Sequence, residues 1–198
     1  MASQTDICNQ ALTKIGAERI LAITDDTKSA RSLSAIWSVK RDAELAAQPW
    51  TFAITRAQLP ASATAPVFGW NYAYPLPADY LAMVEVGENY VFYQGDPQPL
   101  FALEGGSILT DQGSPLNIRY ISRVTNTGLY PALFAESLAC RLAAELCETM
   151  TQSLPKREAA WTERKQAIRE AKRVNAIEQP PRYIPPGTWE RALILDGY

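Results

Sequence analysis

Pro49 divides two kinds of chain. Before it, residues 27–47 are rich in helix formers with apolar side chains at helical spacing. After it come Trp50, Thr51, Phe52, Ala53 and Ile54, and the apolar period moves towards two. Proline has no amide donor and its ring clashes inside a helix, so a helix must stop here. A tryptophan and a phenylalanine released at that stop need apolar cover. A corner between a helical part and a sheet part supplies it, with Trp50 and Phe52 as the junction core. The chain is therefore restricted to a mixed fold.

Four helices are expected. The first covers Thr5 to Ile15, with Ser3 and Asp6 as a capping box and Gly16 as its end. The second runs from Thr27 or Ser29 to Ala47, with Asp25 and Asp26 set against the positive end of its dipole. Leu33, Ile36, Trp37, Ala43 and Ala47 are expected to face inward. The third runs from Pro131 to Thr151. Phe134, Leu138, Leu142, Leu146 and Met150 recur along it, flanked by Ala139, Ala143 and Cys147, a stripe wide enough for a central helix. The fourth, Pro155 to Ile177, has a narrow strip of Ala160, Ala167, Ala171 and Val174. Its basic residues are Lys156, Arg157, Arg164, Lys165, Arg169, Lys172 and Arg173. Glu158, Glu163 and Glu170 dilute them, so a solvated or subunit-facing surface is expected rather than a phosphate-binding one.

Between the second and third helices, residues 80–87, 89–95, 100–110 and 116–124 read as strands separated by turns, with Gly105-Gly106 at a hairpin. In the last strand both faces carry apolar residues, which suits a sheet that packs on one side and meets something on the other. The expected architecture is α+β. A four-helix bundle is drawn from both chain ends (1–49 and 128–177), with a small antiparallel β lobe (50–127) between helices 2 and 3. An extended C-terminal arm (178–198) follows. Two Pro-Pro pairs favour extended chain there. The same segment holds Tyr183, Ile184, Trp189, Leu193 and Leu195, so it is expected to dock on another surface, with an ordering cost met on assembly.

The chain has 198 residues, net charge −2 and no histidine. A charge so near zero gives no general attraction for nucleic acid or membrane. The lack of histidine removes Ser-His-Asp and Cys-His catalysis and the commonest metal ligand. Cys8, Cys140 and Cys147 all fall on apolar helical faces and read as small buried hydrophobes. The opening residues lack the basic and apolar regions of a signal peptide, and no stretch approaches the ~20 apolar residues of a membrane span. A soluble protein made in the cytoplasm is expected.

No catalytic, cofactor-binding or metal-binding set emerges. Glu145 and Glu148 share a helical face without a third ligand, and no Walker loop or CxxC spacing occurs. The aromatic stretch 68–81 admits two readings. Trp70, Tyr72 and Tyr74 could stack on sugar rings, as in a carbohydrate-binding tail module. They better suit a strand entry and a proline-fixed turn with the aromatics buried in the small lobe, which is the reading adopted.

Four stretches together resemble a known family. They are Arg41-Asp42 on a helix, then Pro49-Trp50 with Phe52-Ala53, then Tyr74 with Leu76-Pro77 and Asp79, then Tyr120-Ile121 with Arg123-Val124 before an alanine-rich helix. In this order they are similar to the tail tubular protein A family, the head-to-tail adaptors of short-tailed bacteriophages. The likeness covers most of residues 5 to 155; the last forty residues fall outside it. It implies a virion structural protein rather than an enzyme. Such subunits form a ring, usually of twelve, beneath the portal protein at the tail vertex. The ring docks the tail nozzle, a tail tubular protein B-like partner, and passes genomic DNA without reading its sequence. It also implies assembly in the host cytoplasm, no membrane and no cofactor. On this reading Tyr183, Ile184, Trp189, Leu193 and Leu195 are interface residues toward the portal or a neighbouring subunit.

Overall fold

The first two helices begin at capping side chains. In the computed structural model, which describes residues 2–87 and 101–178, α1 spans Gln4–Ile15. The Ser3 hydroxyl accepts the Asp6 N–H at 3.1 Å, and the Ser3 N–H donates to the Asp6 carboxylate at 2.9 Å. Gly16 closes the helix at φ 73°, a left-handed turn that side chains resist. Helix α2 spans Lys28–Leu45 with Thr27 as its cap. It stops at Leu45, ahead of Pro49. Asp25 does not serve the helix dipole as expected. Its carboxylate accepts the N–H groups of Leu21 and Ala22 and so tightens the preceding turn. Asp26 pairs with Arg31.

Helices α3 (Ala132–Thr151) and α4 (Leu154–Ile177) follow the β region. Phe134, Leu138, Leu142 and Leu146 of the α3 stripe are buried as their spacing predicts, whereas Met150 near the helix end is half-buried, and α3 packs against α1, α2 and α4. Helix α4 fully buries only Ala160 and Ala171.

The fold is α+β. Six strands lie among the described residues: β1 Ile54–Leu59, β2 Tyr72–Pro75, β3 Tyr80–Val86, β4 Ala102–Glu104, β5 Ser107–Thr110 and β6 Leu116–Ser122. They form two three-stranded sheets, ordered β1-β6-β3 and β2-β5-β4. The second is antiparallel, with Tyr74 opposite Ile108 and Ala102 opposite Leu109. Gly105 and Gly106, at φ 55° and 78°, make the tight turn from β4 to β5. Strand β1 was not expected as a strand, and β2 was expected only as a strand entry before the proline-fixed turn. The strand expected at 89–95 lies outside the described residues, as do Tyr183, Ile184, Trp189, Leu193 and Leu195.

Two units result. One takes residues 2–54 and 121–178, the other the described part of 55–120. The helical unit therefore claims Trp50–Ile54 and residues 121–127, which had been assigned to the lobe. The reason is aromatic. Trp50 meets Phe134 edge-on at 5.0 Å between ring centres, and Phe52 packs on Phe134 at 4.9 Å and on Tyr130 at 5.7 Å. The β unit has its own core of Leu59, Tyr74, Val86, Ile108, Leu116, Ile118 and Tyr120. On the alternate face of β6, Arg119 pairs with Glu85 at 3.1 Å and Asn117 accepts from Gln58 at 3.0 Å.

Candidate functional site

The polar chemistry of the helical unit gathers at the C-terminal end of α2. Leu33 and Trp37 set a helical period, and the next inward positions are Arg41 and Glu44. Both are buried, whereas Ala43 is half-buried and Ala47 exposed, a correction to the expected inward face. Glu44 is fully buried yet satisfied. Its Oε1 accepts the Ser137 hydroxyl at 2.5 Å, and its Oε2 accepts Arg141 at 2.8 Å and Arg164 at 3.1 Å. Its backbone carbonyl accepts the Trp50 indole N–H at 2.9 Å. One residue thus links α2, α3, α4 and the chain after Pro49. The Arg164 guanidinium also lies 5.3 Å from the centre of the Trp161 ring.

Beside it, Asp42 accepts Arg41 at 2.8 Å through Oδ1 and Arg123 at 2.8 Å through Oδ2. Ser122 donates to the Ala53 carbonyl at 3.2 Å. Within the β unit, the Tyr120 hydroxyl donates to Asp79 at 3.0 Å, and the Tyr80 ring stacks on Tyr120. Burial first, then that contact with Asp79, pushes the Tyr120 phenol up to about 12.

The remaining candidates resolve individually. Glu145 pairs with Lys40 at 2.6 Å and Glu148 with Arg157 at 2.9 Å, so they serve different partners. Glu136, Cys140 and Glu163 come close enough to ligate a cation. The Lys14 ammonium already stands among them, paired with Glu163 and 3.6 Å from Glu136. Burial pulls Lys14 down, but its contacts with Glu163 and Glu136 outweigh this and hold it above its usual value. Cys8, Cys140 and Cys147 are all buried and free, and burial pushes the Cys8 thiol up to about 12. Tyr74 is fully buried and donates to the Gln112 carbonyl at 2.7 Å, so of the three candidate sugar-stacking rings it presents no open face. Tyr72 is 39% exposed and Trp70 half-buried. Trp50 is buried and Phe52 half-buried, both in the helical unit.

Sequence reasoning missed Glu44 and its arginines. The signal was present, since the period from Leu33 and Trp37 runs through residues 41 and 44, but polarity argued against placing them inside. Among the described residues, no helix is long and apolar enough to cross a membrane. No family model matches the chain, and no curated protein matches it.

Proposed function

We propose that this chain is the head-to-tail adaptor of a short-tailed bacteriophage: a ring subunit under the portal that extends the DNA channel and docks the tail nozzle in the virion. The observation that carries this reading is the mutual support of the stretches that bear the family resemblance. Arg41-Asp42 meets Arg123 through the shared carboxylate. Ala53 of the Pro-Trp stretch receives Ser122. Asp79 of the Leu-Pro turn receives Tyr120. Residues far apart in sequence thus meet within each unit, at Ser122 and Arg123 in one and at Tyr120 in the other. The layout of two helices, a β unit and two further helices is the one expected from the sequence.

On this reading the work is done by fit between protein surfaces, with no molecule transformed. Tyr183, Ile184, Trp189, Leu193 and Leu195 would supply the grip on the portal or a neighbour. Two experiments test it. Imaging or cross-linking of the particle should place the chain at the tail vertex; virions that keep genome and tail without it would overturn the reading. Removal of residues 178–198 should leave a folded protein that no longer docks; normal docking by the truncated protein would remove this part of the reading.

A further inference from the structure

We infer that the outer face of α4 lies against the phosphate backbone of duplex DNA. This rests on the ring-subunit reading for where the duplex runs, while the face itself rests on charge and spacing. Lys165, Arg169, Lys172 and Arg173 recur at i, i+4, i+7 and i+8, which puts them on one side of the helix, away from the buried Ala160 and Ala171. All four are exposed. Among the described residues, no carboxylate pairs with any of them.

The other charges of α4 are engaged elsewhere. Arg164 meets Glu44 and Arg157 meets Glu148. Lys156 donates to the Ile15 carbonyl at 3.4 Å. The glutamates that dilute the helix in sequence scarcely dilute this face. Glu163 pairs with Lys14, and Glu158 lies two turns before Lys165. Between residues 165 and 173 only Glu170 stands against the four cations.

Unpaired charge of one sign fits a polyanion, and the rest of the face selects which one. Protein interfaces centre on apolar and aromatic anchors and are poor in lysine. The residues beside these cations are Thr162, Gln166 and Ala176. The exposed apolar residues of α4 are Leu154 at its start, Val174 beside Leu133 of α3, and Ile177 at its end. A helix that lies on a membrane needs a broad free apolar face, whereas the inner side of α4 packs on α3. Single-stranded nucleic acid stacks on exposed aromatic rings. The one ring of α4, Trp161, is half-buried beside the Arg164 guanidinium. A duplex backbone asks for charge alone, without base readout. Lys165 to Arg173 span about 12 Å of helix, over which one DNA strand presents about three to four phosphates along the duplex axis. With a net charge of −2 on the whole chain, the attraction stays local, so a duplex can slide past. A ring of copies repeats the contact around the duplex.

The test follows the anisotropy of a labelled short duplex titrated with the full chain at several salt concentrations. Weak binding is expected, with Kd of roughly 10⁻⁴–10⁻⁶ M and a log–log salt slope of about −3.6 if all four cations meet phosphates. Affinity should then fall about 100-fold between 50 and 200 mM salt. Lys165→Gln, Arg169→Gln, Lys172→Gln and Arg173→Gln together should abolish binding. Lys165→Gln alone should reduce the slope by about 1, which keeps the test decisive should the fourfold variant unfold. A control with Arg19→Gln, Lys28→Gln, Arg31→Gln and Arg56→Gln removes the same charge from other exposed positions and should keep the slope. The inference is overturned if the wild-type chain shows no salt-dependent duplex binding, if the α4 variants bind as it does, or if the control loses as much as they do. Tighter binding of a single strand or of an acidic peptide than of the duplex overturns it too. Placement of the chain at the tail vertex is decided separately, by imaging.

Discussion

Arg141 donates to the Glu44 carboxylate at 2.8 Å, and Glu44 has no solvent exposure at all. A lone buried carboxylate is costly unless charge and hydrogen bonds surround it. Here Ser137, Arg141 and Arg164 do so, from α3 and α4. Helix α4 fully buries only Ala160 and Ala171, and it also makes polar contacts to Glu44, Lys14 and Thr51.

Glu44→Ala should therefore cost about 3–5 kcal/mol, since it leaves two guanidinium groups facing each other with no anion between them. Replacing Glu44, Arg141 and Arg164 together by apolar residues of similar volume should cost far less and is expected near neutrality. Urea denaturation of both variants checks this. A Glu44→Ala loss below ~1 kcal/mol would show that water, not the cluster, solvates the arginines.

Trp50→Ala should cost about 3–5 kcal/mol, because the indole is buried against Phe134 and its N–H is bonded to Glu44. Trp50→Phe keeps the ring contact and loses the hydrogen bond, so it should fall between wild type and alanine. Equal stability of the alanine variant and wild type would place Trp50 outside the core.

The Asp42–Arg123 pair should matter much less to stability. The Arg123 side chain is 41% exposed, and exposed pairs contribute ~0–1 kcal/mol. Arg123→Ala is expected to lower stability by no more than that, with the loss shrinking at high salt. A salt-independent loss above ~2 kcal/mol would assign the pair a buried, structural role.

Stability should fall in strong alkali through Tyr120 and Tyr130. Burial is the first cause of both shifts, joined by Asp79 at Tyr120 and by Asp42 at Tyr130, and each phenol is pushed up from 10.0 to about 12. Between those values the native state holds protons that the unfolded chain has released, so unfolding becomes easier as pH rises. The contribution is complete below pH 10 and is lost as pH passes about 12. Denaturation midpoints followed through this range should decline, and the double variant Tyr120→Phe, Tyr130→Phe should flatten the decline.

Local grammar was enough to place much of this protein. The Ser3–Asp6 box, the Gly16 end, the α3 stripe and the Gly105-Gly106 turn each depend on neighbours within a few residues, so the sequence carries them complete. The break at Pro49 and the return to helical spacing after the β region likewise followed from backbone sterics and apolar period alone. Strand β1 was hidden because "ITRAQL" alternates weakly and becomes a strand by pairing beside β6, which comes much later in the chain. The inward position of Arg41 and Glu44 was hidden for a related reason. A charge inside a helix bundle is tolerable only if distant partners arrive, and Ser137, Arg141 and Arg164 lie on helices beyond the β region. The sequence by itself determined where helices start, stop and show apolar faces, because those preferences are energies of short chain segments. Which charges could be buried, and to which unit Trp50 belongs, only the tertiary structure decided, because those energies exist only once remote segments meet.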